Sequence, residues 1–504
     1  MDSTRGFKNI IFGFLSKLII MGFGVLVPRL VLVNLGSESN GLLNVVSTAL
    51  TYMSLLEAGV GTATLQALYR PVAEGDRDSI NRIMSATNYY YRRTGKVYFA
   101  LIVIVAAVLS FFMRTNIAKS RVFIVVLLAG FSGVIDYFFQ GKFRILLAAE
   151  GKNYVTTNIT TIVSVATNIA KAVVLIAGGD VVAVQFVSFV INLCRMVAFS
   201  VYEHVHYSWI DYAADPDFDA ISEKDAVLVH QVSSLIFGNT DVLVLSLFGS
   251  LADVSVYTMY SMIYSLAMGV AAAFSDGFTY ALGQSFHDRE RYLRVFDAYE
   301  TYNMAFTASI FCICHVMILP FLKLYTAGVE DAIYVNRYLP WFFSFLHLLN
   351  NGRASSQSTI NIAQRFEDTK WRSVLESVIN VIVSLVATYK YGIYGVLIGT
   401  IAALLYRTND MIVYSAGILK RSCLITYRRW CINIFLFIIL TVTASDIGIS
   451  CDNYDSLISI GLAMTGIVLP IFLILNSLLE PKSASLVFGI IRRFIYTKIE
   501  EARM

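Results

Sequence analysis

The sequence predicts an all-α polytopic membrane protein of about 14 transmembrane helices, and three observations predict it. Of its 504 residues, 57% are apolar and only 15% charged; a soluble domain carries about 45–50% and about 25%. Apolar runs recur at lengths of about 20 residues, enough for a helix to cross the hydrocarbon. They do not alternate in polarity, which excludes an outer-membrane barrel, and their hydrophobicity excludes disorder. Finally, Lys and Arg crowd every second loop.

The predicted spans run over 8–34, 41–69, 95–113, 122–142, 153–177, 181–202, 227–248, 254–284, 297–322, 334–363, 372–389, 391–416, 430–445 and 456–478. The first carries Lys17 and Arg29 and is too long and too charged for a cleaved signal peptide, so it counts as helix one. With the N-terminus inside, 27 of the 39 Lys and Arg fall in cytoplasmic loops, 6 in outside loops and 6 within spans. That bias predicts an even number of spans and two cytoplasmic termini.

The longest soluble stretches, 70–94 and 203–226, are both predicted to be cytoplasmic. The second is acidic (Asp211, Asp215, Asp217, Asp219, Glu223, Asp225) and divides the chain. The expected domains are an N-terminal lobe over 1–202, the linker 203–226, a C-terminal lobe over 227–416, and an extra helix pair with a basic tail over 417–504. A shift of 213 residues aligns RLVLVNLGS (29–37) with VLVLSLFGS (242–250). The shared Gly36/Gly249 and Ser37/Ser250 suit a helix end, since Gly tolerates the left-handed turn and Ser caps the next helix. Spans one and seven run in the same direction, so the repeat is parallel, as in transporters that rock two lobes about a central site.

The net charge of +4 argues against nucleic acid as a partner. Cys194, Cys312, Cys314, Cys423, Cys431 and Cys451 lie in or beside apolar runs without metal-ligand or disulfide spacing, and read as small apolar residues.

Three segments carry a family resemblance: PRLVLVNLGSESNGLLN (28–44), LLEAGVGTATLQALYRP (55–71) and, best, TDVLVLSLFGSLADVSVYTMYSMI (240–263). The last is an Asp, an apolar run, a Gly, then Val and Tyr opening the next helix. They resemble Wzx-like flippases for lipid-linked oligosaccharides of O-antigen and other surface polysaccharides. These belong to the multidrug/oligosaccharidyl-lipid/polysaccharide exporter superfamily, and the resemblance spans about 1–420. Many Wzx-type proteins are described with twelve spans. The extra pair here is like that of MurJ-type flippases for the peptidoglycan precursor.

The resemblance implies a V of two lobes, as in MATE and MurJ proteins, opening alternately to each side of a bacterial inner membrane. It implies an undecaprenyl-pyrophosphate-linked oligosaccharide as cargo, moved from the cytoplasmic to the outer leaflet. It further implies no cofactor, coupling to protons or sodium, and a polymerase and a chain-length regulator as partners beside the bilayer.

A charge near the bilayer centre costs about 2.5–3.5 kcal/mol, so it stays only against a wet cavity or a partner. Lys17, Arg29 and Lys171 are the cationic candidates in the first lobe. Glu57, the deepest acid, is a candidate for ion coupling, with Asp136 and Asp241; a pairing of Glu57 with Lys17 is the plainer alternative. Span ten reads FLHLLNNGRASSQST (345–359). On a regular helix His347, Asn350, Asn351, Arg353 and Gln357 share an arc of about 160°. Amides suit sugar hydroxyls and Arg grips phosphate with two bonds, so this face is the expected cargo wall, with Gly352 able to break it. Arg195, Arg407 and Asp410 lie near cytoplasmic ends and are expected to be solvated or to pair, His315 to be a packing residue, and Tyr257, Tyr260 and Tyr264, on one helix face, to pack or to stack on sugar rings.

The sequence carries no phosphate-binding loop, HExxH, CxxC or nucleophile elbow, which favours a transporter over an enzyme. A polysaccharide polymerase or glycosyltransferase would carry a large charged outside loop; the loops here are short. A MATE-type drug/cation antiporter would want an anionic cavity, whereas Lys17, Arg29, Lys171 and Arg353 lean cationic.

Overall fold

The computed structural model describes residues 3–57, 59–221, 225–489 and 492. Their regular secondary structure is all helical, with no strand among the described residues. Two compact units form: Met1–Thr258 with Gly328–Ala332, and Met259–Ala327 with Ile333–Met504. Among the described residues, eleven helices are long and apolar enough to cross a membrane. Three more predicted spans appear as the second half of a kinked first helix, the shorter Val232–Phe248, and a helix broken in two. The chain is therefore a multi-pass membrane protein with about 14 spans, as the sequence predicts.

The first unit begins with α1 (Ser3–Met53), which turns at Gly36, where φ is 81°. The turn is held by Asp331, which accepts from the Ser37 backbone N–H at 2.7 Å and from its hydroxyl. A 3-10 turn (Ser54–Glu57) leads to α2 (Val60–Glu74), α3 (Arg77–Phe112) and α4 (Lys119–Ile135). A π-helical turn (Asp136–Gln140) interrupts the fourth span before α5 (Gly141–Ala149). Then follow α6 (Asn153–Ile176), α7 (Val181–His206) and α8 (Asp225–Phe248). α9 (Leu251–Ser285) starts in this unit and continues into the second. Its start is capped reciprocally: Ser250 Oγ accepts from the Asp253 N–H at 3.1 Å, and the Ser250 N–H donates to the Asp253 carboxylate. Of the two repeat glycines only Gly36 has a positive φ; Gly249 ends its helix without one.

Residues 203–221, expected as a linker, pack onto the first unit. Tyr207 and Ile221 are buried in one core with Ile83, Met84 and Phe143. Ser85 donates to the Tyr212 carbonyl at 3.0 Å, and the Lys142 ammonium stands 4.2 Å above the Tyr212 ring. The Tyr212 hydroxyl donates to Glu203. Glu223 lies outside the described residues.

The second unit contains α10 (Arg289–Tyr325), α11 (Leu339–Gly352), α12 (Ala354–Ile362), α13 (Phe366–Tyr391), α14 (Ile393–Leu419), α15 (Leu424–Ile447) and α16 (Tyr454–Leu479). α13 and α14 pack backbone to backbone. A Cβ on Gly395 would stand 2.3 Å from the Thr388 nitrogen, and one on Gly399 2.1 Å from the Ser384 hydroxyl. This Gly-x-x-x-Gly spacing is how membrane helices approach closely without a hydrophobic driving force.

The last pair docks on α10 through buried charge. Arg429 bonds Glu300 at 2.6 Å, Asp297 at 2.8 Å and Glu480 at 3.2 Å, and Arg421 bonds Glu300 at 2.8 Å. Asn433 and Asn476 exchange amide bonds at 3.1 and 2.9 Å between α15 and α16.

The repeat seen in sequence is also a repeat of structure. α5 and α12 each have nine residues and start 213 apart. α6 and α13 start 213 apart, and α7 and α14 end 213 apart. α3 and α10, of 36 and 37 residues, start 212 apart, each behind an Asp cap, Asp76 and Asp288.

Candidate functional site

In both halves the fourth span is broken midway, and the break carries charge. A Cβ at Gly352 would lie 1.9 Å from the Trp430 ring, so only glycine lets α15 approach here. Arg353 follows, outside both α11 and α12. Breaking the helix frees backbone groups, which a membrane tolerates only where protein or water satisfies them.

Arg353 enters a network with α13 and α14. Its Nη1 donates to Glu376 Oε1 at 2.6 Å and its Nη2 to Asn350 Oδ1 at 3.0 Å. The other oxygen of Glu376 lies 3.6 Å from Arg407 Nε. Arg407 Nη1 donates to Asp410 at 2.6 Å and Nη2 to the Ser373 hydroxyl at 3.1 Å, while Arg372 also bonds Asp410 at 2.6 Å. The Arg407 and Glu376 side chains are only 3% and 9% exposed, and that of Arg353 is 15% exposed. Among the described residues, the buried part of this network is Arg353 and Arg407 against Glu376 and Asp410, with Arg372, 37% exposed, also on Asp410.

The rest of the predicted wall divides. His347 is buried, its ring parallel to Tyr264 at 5.1 Å and stacked on Phe311 at 5.5 Å. Asn351 is buried and donates to the His347 carbonyl at 3.0 Å. Gln357, half-buried, donates to Asn361 at 2.6 Å. The five residues do not share one open face: Asn350, Arg353 and Gln357 are half-buried on one side of the helix, whereas His347 and Asn351, at the edge of the predicted arc, are buried. Of the other expectations, Arg407 pairs with Asp410, Arg195 pairs with Asp136, His315 bonds Ser344 at 2.9 Å, and Tyr260 and Tyr264 are buried, whereas Tyr257 is half-buried.

In the first unit Asp136 sits in the π-helical turn and pairs with Arg195 at 2.9 Å and Arg144 at 3.7 Å. Gln140, at the repeat position of Arg353, is 1% exposed, and neither of its amide atoms has a hydrogen-bond partner among the described residues. Glu57 accepts from the Tyr91 hydroxyl and not from Lys17, which is exposed on α1 and makes no hydrogen bond or ion pair among the described residues. The Lys17–Glu57 alternative is therefore corrected: a rigid, buried Tyr91 on the neighbouring helix reaches the carboxylate first. Arg29 is half-buried. Lys171, also half-buried, makes no hydrogen bond or ion pair among the described residues. Asp241 is 4% exposed and accepts from the Tyr257 hydroxyl at 2.8 Å.

Sequence reasoning missed Glu376, which appears only as an acid four residues beyond Arg372 in span eleven. It also missed the polar face of α6: Thr157, Thr160, Thr161, Ser164, Asn168 and Lys171 share an arc of about 100°. That periodicity was available. Part of the face serves packing, since Thr161 bonds Ser16 of α1 at 2.6 Å and Thr160 its own helix.

These features define the class: an all-helical polytopic membrane protein of two structurally repeated six-span halves and a C-terminal helix pair. Among solved structures, the chain is similar to the lipid II flippase MurJ in an inward closed conformation, with TM-score 0.65 and 12% identity, covering 94% of this chain and 99% of that one. It is also similar to an inward-facing multidrug resistance MATE family transporter of the MOP superfamily, with TM-score 0.60, 14% identity, and coverage of 79% and 94%. A MATE structure in the bent conformation follows at TM-score 0.52, 14% identity, and coverage of 85% and 98%. Residues up to 419 are about 83% of the 504, so the MurJ match extends into the last helix pair. No protein-family profile and no curated protein matches the chain.

Proposed function

We propose that the protein is a flippase that carries a polyprenyl-pyrophosphate-linked oligosaccharide from the cytoplasmic to the outer leaflet of a bacterial inner membrane, for surface-polysaccharide synthesis. It works by alternating access, with both termini cytoplasmic. The observation that carries this reading is Arg353, held at the break of span ten beside Arg407 in a buried network of arginines and acids. A planar guanidinium with room for two parallel bonds is the group that suits a diphosphate. Asn350 beside it supplies an amide for a sugar hydroxyl. The likeness to a structure named as a lipid II flippase, through the C-terminal pair, supports a lipid-linked cargo.

Moving a doubly charged head group through bare hydrocarbon is prohibitive, so polar groups on the path must replace its water. Lys17, exposed on α1, and Lys171, on the polar face of α6, are further cationic contacts for the first unit. Proton or sodium coupling resets the empty carrier, with Glu57 or Asp241 as the ionisable group.

The test is transport by purified protein in liposomes. A fluorescent polyprenyl-diphosphate oligosaccharide, loaded in one leaflet, becomes accessible to an enzyme or quencher on the other. Arg353→Ala should abolish protein-dependent flipping and Arg353→Lys should leave part of it. Full flipping by Arg353→Ala would reject the site. Efflux of a lipophilic cation by the same liposomes, without flipping, would favour the antiporter reading.

A further inference from the structure

We propose that Glu376 is a resident counter-ion that latches Arg353 and Arg407 together, and that the cargo diphosphate takes its place when it binds. The inference rests on the flippase reading above and assigns the diphosphate to two arginines rather than one.

Comparison of the two halves motivates it. In the first, the break in span four carries an acid, and Asp136 meets Arg195 of span six directly. In the second, the break carries Arg353, and the arginine of span six is Arg407, 212 residues beyond Arg195. Two guanidiniums facing one another in a dry interior repel, so a third element must supply the compensating charge. Glu376 on α13 does so, one carboxylate oxygen toward each arginine.

The bridge is uneven. Glu376 is 2.6 Å from Arg353 but 3.6 Å from Arg407, and the buried Arg407 Nε–H has no hydrogen-bond acceptor among the described residues. A buried donor left unmade is costly. An anion with more oxygens than one carboxylate satisfies both arginines at once, including that Nε–H. Asp410, held by Arg407 and Arg372, stays as a fixed counter-charge on the far side. Glu376 then competes with the diphosphate for the same donors. It keeps the empty site neutralised and, by returning to Arg353, helps expel the cargo. Removing it should tighten binding and slow release.

The experiment measures binding of farnesyl diphosphate, with farnesol as the uncharged control, to the purified full chain in detergent. Glu376→Gln should bind the diphosphate about tenfold more tightly, equivalent to about 1.4 kcal/mol, with farnesol binding unchanged. Adding Arg353→Ala should cancel the gain. In liposomes Glu376→Gln should lower both KM and kcat. Asp410→Asn removes a negative charge from the same network but not from Arg353, so it should not reproduce the gain. If Glu376→Gln does not yield folded protein, Glu376→Asp, which retracts the carboxylate by one methylene, should show a gain of about threefold, roughly 0.65 kcal/mol. Equal gains from Asp410→Asn and Glu376→Gln would overturn the latch in favour of bulk charge. Unchanged or weaker binding by Glu376→Gln or Glu376→Asp, while Arg353→Ala still loses binding, would overturn the latch and leave the flippase site standing. Unimpaired binding by Arg353→Ala would overturn both.

Discussion

Asp136 and Arg195 are joined at 2.9 Å across the π-helical turn that interrupts the fourth span. π-helical turns of this kind recur at functional positions, where an extra residue re-aims a side chain. Here the turn aims an acid at a cation two spans later in the chain. Both side chains keep some exposure, 27% and 18%, so the pair is worth less than a fully dry one. Asp136→Asn should destabilise the protein by about 1–3 kcal/mol. The double variant with Arg195→Gln should recover part of that loss, since it no longer leaves a cation unpaired. The thermal midpoint in detergent reads this, and a double variant no better than Asp136→Asn would mean the two do not couple.

Gln140, in the same turn, has a buried amide without partners among the described residues. Replacing a buried unmade donor and acceptor by an apolar side chain of similar length removes their desolvation penalty. Gln140→Met should raise the thermal midpoint. A fall would show that the amide is satisfied by bound water or by cargo.

The C-terminal pair is held by charge buried on α10. Glu300 is fully buried between Arg421 and Arg429. Glu300→Gln leaves Arg421 and Arg429 sharing Asp297, with Glu480 on Arg429, and should cost about 1–3 kcal/mol. Protease cleavage in residues 420–430 of the folded protein should become faster. Wild-type cleavage rates would mean that the pair is held mainly by apolar packing.

Glu57 takes its hydrogen bond from Tyr91, so its role in coupling can be separated from any tie to Lys17. If Glu57 couples transport to protons, Glu57→Gln should bind cargo but lose acceleration by a pH gradient, and Tyr91→Phe should keep that acceleration. Gradient-dependent transport by Glu57→Gln would move the search to Asp241.

The orientation predicted from the 27:6 loop bias can be tested with cysteine labelling. Ser37 is unsuitable, being buried against Asp331. Asp452 and Asp78 are exposed. In a background with Cys194 and Cys431 replaced by alanine, Asp452→Cys should react with an impermeant maleimide in intact cells and Asp78→Cys should not. Reaction at Asp78→Cys would invert or break the topology.

The spans and their pairing into halves were legible because lipid allows few solutions. A backbone in hydrocarbon must satisfy its own hydrogen bonds, so length and hydropathy nearly determine the helices. The 213-residue repeat showed in nine residues around Gly36 and Gly249, and the structure extends it through α5/α12, α6/α13 and α7/α14. The charged residues inside spans were legible for the same reason: hydrocarbon makes them conspicuous. Their partners were not. A helical wheel places His347, Asn350, Asn351, Arg353 and Gln357 on one arc, but it does not show that His347 and Asn351, at the edge of that arc, are buried by the neighbouring helices. Which acid meets which arginine depends on contacts 23 to 59 residues apart, as with Arg353–Glu376 and Asp136–Arg195. The sequence by itself determined that charges would lie within the membrane. Only the tertiary structure decided that Glu376 stands between two of them, because a pairing across three helices is set by how those helices pack.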